Sequence, residues 1–391
     1  MRVLTAVLLI GAAWLSNAAD VERVDSTAGI SRAVIAAQQP LVHTTQLLPL
    51  DASGQIVGKA DARAQVSQAL ANLENVLKAT GSGFARLVKV NVYVRAADVV
   101  PAVHQAFAQR FAKAAPAVCF VEGELAHSGA LVSLDAVATT AKVPAQVECF
   151  TVKGVHAVPG GSHAAILPPG KRVYISGMAS KGDVGVAAAD TMKQLWSVLE
   201  FLKLRDAEVV QLKAFLTPMA KREDAERAMA ALFAGRKVPP IIFVEWVSKV
   251  PIEIELIAAA GPEDKSADVI EYLTPPGVKA SPVYSRVARI NSGQTVFISG
   301  LYPKPGQSAP DQIRDIFGQL KSLGDKTGTN LRHLAKATYY VSADDTSAEL
   351  NKIRPEYYDP ARPPAASKAQ VRGVARDTCR ITLDMIAAQK K

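Results

Sequence analysis

The chain is poor in cysteine and in aromatic rings, and each shortage excludes a class of protein. Cys119, Cys149 and Cys379 are the only cysteines in 391 residues. That is too few, and too odd a set, for a disulfide framework. One bridge could form, but three small buried side chains are the expectation. No Cys-x-x-Cys or His-x-x-x-His spacing occurs, so neither a metal site nor a cofactor is expected. Aromatics make up 6% of the chain and the formal net charge is +9. Such an excess would suit nucleic acid. Here the basic residues are scattered and never interleave with stacking rings, which predicts a solvated basic surface and no nucleic-acid partner.

Long apolar runs are scarce as well, with one exception. After Met1-Arg2, the stretch from Val3 to Leu15 is apolar, and Ser16 and Ala18 occupy the −3 and −1 positions of a signal-peptidase site. The run is too short to span a bilayer comfortably. Residues 1–18 therefore read as a signal peptide cleaved after Ala18. The mature protein is expected to be exported, to the periplasm or the medium, without stable membrane insertion.

What the chain has in abundance is repetition. Leu87-Val88-Lys89-Val90-Asn91-Val92-Tyr93-Val94, Gln211-Leu212-Lys213-Ala214-Phe215-Leu216 and Leu334-Ala335-Lys336-Ala337-Thr338-Tyr339-Tyr340-Val341 are strand-like apolar runs, each built around one lysine. The lysines recur at intervals of about 124 residues, the length of a whole domain rather than a solenoid unit. The copies are expected at 27–141, 147–261 and 282–388, with a Pro-, Gly- and charge-rich linker over 262–281. In the first copy Val66, Leu70, Leu73 and Leu77 fall on one helical face, and Gly81 ends that helix. Helices with the same pattern follow at Met192–Leu202 and Ile313–Leu323, and a shorter second helix follows each lysine strand.

The order ββαβαββ implies an α+β unit, a mixed sheet with two helices on one face. The other face needs a cover, because Val173-Tyr174-Ile175 and Ile241-Ile242-Phe243-Val244 are apolar on both sides. Three linked copies can cover one another around a shared pseudo-threefold axis. A monomer that folds as an internal pseudo-trimer is expected.

This layout resembles the RidA/YjgF family, small trimeric proteins with a chorismate-mutase-like fold. Val173-Tyr174-Ile175-Ser176-Gly177 and Val296-Phe297-Ile298-Ser299-Gly300 look like the family's strand ending in Ser-Gly. Val88 to Val94 looks like its lysine strand. Pro116-Ala117 and Pro364-Ala365 look like the start of its Pro-Ala-Arg strand, and Ile252 to Ala258 looks like its closing strand. The resemblance covers nearly the whole mature chain, once per copy. It implies clefts between adjacent units and, as the best-known activity, hydrolysis of reactive enamines and imines. An arginine fork would grip the substrate carboxylate, and an acid with an ordered water would move protons.

The chain departs from that pattern at the arginine, which aligns with Val118, Ile241 and Ala366. Lys368, two residues beyond Ala366, shares its strand face and could substitute as a point charge. The closing acid aligns with Asp135, Glu255 and Asp384, of which Glu255 and Asp384 are the candidate catalytic groups. The candidate ligand-binding residues are Tyr284, Ser299, Gly300 and Asn351 in the third copy, Ser176 and Gly177 in the second, and Asp135 in the first. His104 and Glu226 stand where the third copy has Asn351, and Thr45-Gln46 replaces Ser-Gly in the first copy. Three readings follow. The clefts bind small metabolites without the arginine; or the third copy is a diverged deaminase; or the clefts are closed and the protein is a scaffold.

Overall fold

The computed structural model describes residues 21–156 and 160–389, so the leader expected over 1–18 lies outside the described residues. The first copy runs β1 (Val21–Thr27), β2 (Ile30–Ala36), β3 (Leu41–Thr44), α1 (Ala62–Ala79), β4 (Leu87–Val94), α2 (Val100–Arg110), β5 (Ala117–Glu122) and β6 (Val132–Thr139). The second runs β7 (Glu148–Phe150), β8 (Ala164–Leu167), β9 (Arg172–Ser180), α3 (Val184–Phe201), β10 (Val209–Leu216), α4 (Arg222–Ala231), β11 (Ile241–Glu245) and β12 (Ile252–Ala259). The third runs β13 (Ile270–Leu273), β14 (Val287–Ile290), β15 (Thr295–Ile298), α5 (Ala309–Lys326), β16 (Leu334–Val341), α6 (Asp344–Ile353), β17 (Ala365–Gln370) and β18 (Ile381–Ala388). The architecture is α+β, and each copy carries one strand more than the sequence spacing indicates. One of these, β13, lies inside the stretch expected to be linker. There Ile270-Glu271-Tyr272-Leu273 alternates between Pro- and charge-rich flanks that hide it.

The helices form for local reasons. Asp61 caps α1 by accepting from the backbone N–H groups of Arg63 and Ala64 at 2.9 and 3.1 Å, which satisfies donors the first turn leaves free. At the other end Thr80 Oγ1 donates to the Val76 carbonyl, Gly81 turns left-handed at φ 72°, and the Ser82 N–H closes on the Leu77 carbonyl. Val66, Leu70, Leu73 and Leu77 are fully buried against the sheet, as their spacing predicts.

Strand pairing does not follow the copies. β2 and β3, joined by residues 37–40, do not pair with each other. β3 pairs with β8 of the second copy, and β2 pairs with β15 of the third. Likewise β9 pairs with β14. Three lobes result. Lobe 1 has the strand order β5-β4-β6-β3-β8-β7, and lobe 2 has β11-β10-β12-β9-β14-β13. Lobe 3 has β17-β16-β18-β15-β2, with β1 on β2. Each lobe is the body of one copy completed by the leading hairpin of the next. The chain is continuous through lobes 1 and 2. Lobe 3 is assembled from both ends of the described chain, and this closes the ring without a covalent link. Ala33 to Ala36 register against Ile298 to Thr295, and Lys326 pairs with Asp25 at 2.7 Å. The hairpin turn at Ala28-Gly29 rests on α2, where a Cβ on Gly29 would fall 2.2 Å from the Phe107 carbonyl oxygen.

Each lobe buries its helices in a core of its own. The sheets' other faces meet around the axis in two apolar clusters drawn from all three lobes. One holds Val34, Tyr174, Ile257, Phe297 and Ile386; the other holds Tyr93, Phe215, Tyr340 and Cys119. Between them lies a polar layer. Its register differs from the lysine repeat read in the sequence. Lys89 and Lys336 sit opposite Val137 and Ile386, where lobe 2 places Gln211 opposite Ile257. Lys213 instead occupies the position of Asn91 and Thr338, opposite Glu255. A shift of two residues keeps a side chain on the same strand face, so sequence alternation could not separate these rows.

Candidate functional site

The acids Asp135, Glu255 and Asp384 project into that axial layer, each no more than 5% exposed. Asp384 meets Lys89 at 3.0 Å and Lys213 at 3.8 Å, and Glu255 meets Lys336 at 2.9 Å. In the two close pairs, the lysine of one lobe reaches the carboxylate of the lobe before it. Lys89 Nζ also donates to the Ile298 carbonyl. The third such pair is broken because Gln211 replaces the lysine, and its amide donates to the Thr44 carbonyl at 2.8 Å. Asp135 is left with Asn91 and Tyr93 of its own lobe, at 3.0 and 2.7 Å. The electrostatics follow. Burial works against the Asp384 carboxylate, but Lys89, Lys336 and Lys213 together hold its pKa well below the usual range. Burial pushes Asp135 up, and Lys213 offsets only part of that. His43 is buried with neither ring nitrogen partnered, and desolvation drives its pKa to about 4. A chamber of about 30 Å³ lies among these groups, room for one or two waters.

Three junctions between lobes surround this layer, each bridged by one hydroxyl. Thr45 donates to the Ile241 carbonyl at 2.8 Å. Ser176 donates to the Ser285 carbonyl and accepts from the Ala366 N–H at 2.8 Å. Ser299 donates to the Ser31 carbonyl and accepts from the Val118 N–H, both at 2.6 Å. The three positions expected to hold arginine therefore each lie across a junction from a Ser-Gly or its replacement. The best-equipped copy of the sequence is divided among three places. Tyr284 and Asn351 stand at the lobe 2–lobe 3 junction with Ser176 and Gly177, Ser299 and Gly300 at the lobe 3–lobe 1 junction, and Asp384 on the axis.

The lobe 3–lobe 1 junction is filled. Cys119 Sγ and Thr382 Oγ1 lie 3.3 and 3.0 Å from where a Cβ on Gly300 would stand. Tyr302 packs against the cluster that holds Cys119, and the His104 ring lies 5.2 Å from that of Phe120.

The lobe 2–lobe 3 junction holds a carboxylate that the sequence reading passed over. Glu253 lies over Gly177, so closely that a Cβ on the glycine would sit 1.9 Å from Oε1. Glycine at 177 thus leaves the space that the Glu253 carboxylate occupies. Burial raises the Glu253 carboxyl to about 7; Ser367, Arg286 and Lys368 pull it down, and Glu255 pushes it up. Arg286 donates to the Gly177 carbonyl at 3.2 Å and lies over the Tyr284 ring. Lys368 donates to Asn351 Oδ1 at 3.1 Å. Two cations, a near-neutral acid, an amide and a phenol ring thus share one junction. Glu253 is the alternate residue before Glu255, on the same strand face. Only a strand's position relative to the axis tells the two apart.

The lobe 1–lobe 2 junction is open, with a cavity of about 270 Å³ bordered by Gln46, His127, His156, Arg222, Glu226 and Phe243. Arg222 is hydrogen-bonded to Glu226 and lies 3.6 Å from Glu223. Among the described residues no group of three or more His, Cys, Asp and Glu side chains is placed to hold a metal ion, and no helix is long and apolar enough to cross a membrane.

Comparison with known proteins finds relatives of this chain. The sequence profile of the family described as Endoribonuclease L-PSP matches residues 9–140 and 277–389. The chain is similar to the 3-aminoacrylate deaminase RutC of Acinetobacter baylyi, at 28% identity over 98 residues, which cover 25% of this chain and 78% of the relative. Among solved structures it is similar to a YjgF-family protein of Neisseria meningitidis (24% identity, 31% of this chain and 96% of that one, TM-score 0.24). It is also similar to a YjgF/YER057c/UK114-family protein of Mycobacterium tuberculosis (28%, 31% and 99%, TM-score 0.23). The profile match spans well over half of the chain, and the chain belongs to the Endoribonuclease L-PSP family, the RidA/YjgF family that its sequence resembles.

Proposed function

We propose that the chain is an exported member of this family that binds small metabolites at two of its lobe junctions, and that one of these, between lobes 2 and 3, hydrolyses a reactive enamine or imine. The observation that carries the reading is Glu253, a half-buried carboxyl held near neutrality beside two cations. At pH 7 both of its protonation states are populated, which a group that must give and take a proton requires. Protonated Glu253 would deliver its proton to the enamine β-carbon, leaving an iminium. The carboxylate would then take a proton from water as the water oxygen bonds to the iminium carbon that bears nitrogen. Collapse of the carbinolamine breaks the C–N bond, giving ammonia and a carbonyl. Lys368 and Arg286 would hold a substrate carboxylate in place of the arginine missing at Ala366. RutC, named as a deaminase of an enamine acid, is consistent with this chemistry. Asp384 and Glu255, tied to lysines on the axis, are assigned the structural part.

The test is ammonia release from an enamine generated in situ by purified protein. Glu253→Gln should lower the rate about 100-fold, the scale of one general acid–base group, with an unchanged melting temperature. In the parent protein kcat/KM should fall as pH rises through about 7, where the acid form is lost. No release above buffer, or a Glu253→Gln variant as fast as the parent, would sink the assignment. Export rests on the Val3–Leu15 run and the Ser16/Ala18 pattern. N-terminal sequencing of the secreted protein should begin at Ala19; a retained Met1 would refute it.

A further inference from the structure

The lobe 1–lobe 2 cavity is open, yet its chemistry differs from that of the lobe 2–lobe 3 junction. There, Lys368 and Arg286 face a single carboxyl. Here, among the described residues, Arg222 is the only arginine or lysine on the lining, and it is already committed: hydrogen-bonded to Glu226, 3.6 Å from Glu223, and over the Phe243 ring. Two carboxylates share one guanidinium on this wall; burial raises the Glu226 pKa and Arg222 offsets only part of that, so a second cation would favour its ionised form. Ile241 stands on the same lining where the resemblance expects an arginine. Other polar groups of the lining are engaged within the protein. Gln46 donates its amide to Ser133 at 2.9 Å, and His127 Nδ1 accepts from the Gly129 N–H at 3.0 Å. The His156 ring lies against Gly54, where a Cβ would stand 2.6 Å from Cε1.

A carboxylate entering this cavity would meet two carboxylates and no free cation. A protonated amine would meet Glu226, whose side chain is only 13% exposed and therefore poorly screened. It would also find the Phe243 and His156 rings for its apolar part. About 270 Å³ admits one small molecule rather than a peptide or nucleotide chain. We propose that the lobe 1–lobe 2 junction is a binding site for a small protonated amine, opposite in charge preference to the lobe 2–lobe 3 junction. The inference rests on the reading that the junctions bind small molecules, and it assigns the ligand class at one of them.

Isothermal titration of the full mature chain tests it, with histamine and 1,4-diaminobutane as amine probes and succinate and pyruvate as carboxylate probes. The amines should bind and the carboxylates should not compete with them. Glu226→Gln should weaken amine binding at least tenfold. Arg222→Met, which leaves both carboxylates unpaired, should strengthen it, an opposite response that loss of structure would not give. Both variants are to be compared at matched melting temperatures. Amine binding indifferent to both substitutions would overturn the proposal. Carboxylates binding in this cavity while amines do not would overturn the ligand class and leave junction binding standing. Failure of every probe would overturn both.

Discussion

Removing residues 21–36 is expected to unfold lobe 3 and open the ring, although these residues lie at the far end of the chain from β15–β18. The deletion strips Ala33, Val34, Ile35 and Ala36, each no more than 3% exposed, from the edge of β15. It also removes Ser31, which bonds to the Ala115 carbonyl at 2.6 Å and ties lobe 3 to lobe 1. Burying one Val or Ile side chain contributes about 1.5–3 kcal/mol, so the loss should exceed about 5 kcal/mol, a large share of a domain's stability. The uncovered β15 edge would also invite aggregation. Limited proteolysis should cut first within 295–388 and leave a core beginning near Leu41. A permutant separates this explanation from a general intolerance of truncation. In lobe 1 the chain passes from β6, ending at Thr139, to β7, starting at Glu148. In lobe 2 it passes from β12, ending at Ala259, to β13, starting at Ile270. Joining Gln389 to Val21 by a flexible linker of about ten residues, with new termini between Ala36 and Leu41, gives lobe 3 the same continuity. That permutant should fold and melt at or above the parent temperature. If it fails while the truncated chain stays folded, the hairpin does not close the ring.

The same feature shows what could be read from the sequence and what could not. Copy number, helix positions and the buried face of α1 follow from spacing, because a 3.6-residue period decides which side of a helix is apolar. Residues 37–40, 168–171 and 291–294 look like hairpin turns, and local chemistry suits them equally to a hairpin or to a crossing between lobes. Only the packing of whole sheets decides between the two. The candidate site was divided for a related reason. Residues of one copy face different junctions, since each junction is built by two lobes. Ser176, Gly177, Tyr284 and Asn351 do come together, although they belong to two copies. Glu253 was missed in favour of Glu255 because alternation places both on one face. Distance from the axis, which no local pattern encodes, makes one a junction acid and the other a lysine partner.

Replacing Asp384 with asparagine is expected to cost about 3–5 kcal/mol, the penalty for leaving a buried charge without its partner. Lys89 would keep only the Ile298 carbonyl, and Lys213 would lose its one close carboxylate. Urea unfolding at pH 7 reads the loss directly, and a change under about 1 kcal/mol would contradict the ion-pair account. Two further measurements distinguish it from a catalytic role or a simple packing defect. Asp135→Asn should cost less than about 1 kcal/mol. Its carboxyl is already pushed toward the neutral form, and Asn91, whose Oδ1 has no partner, can turn its amide to accept from the new one. The second measurement is pH dependence. The Asp384 pKa is lower in the folded chain than in the unfolded one, so its contribution is complete above the ordinary carboxylate range and is lost as pH falls toward the depressed value. The parent protein should therefore lose stability steadily below about pH 4, and the Asp384→Asn variant should lose less over that range. Converting the pair together, Lys89→Met with Asp384→Leu, should recover part of the loss, because apolar groups of similar volume avoid the desolvation that the ions offset only when both are present. Lys213 and Lys336 stay charged in that variant, which leaves recovery incomplete. If the double variant were no more stable than Asp384→Asn alone, the Lys89–Asp384 pair would not be what couples lobe 1 to lobe 3 on the axis.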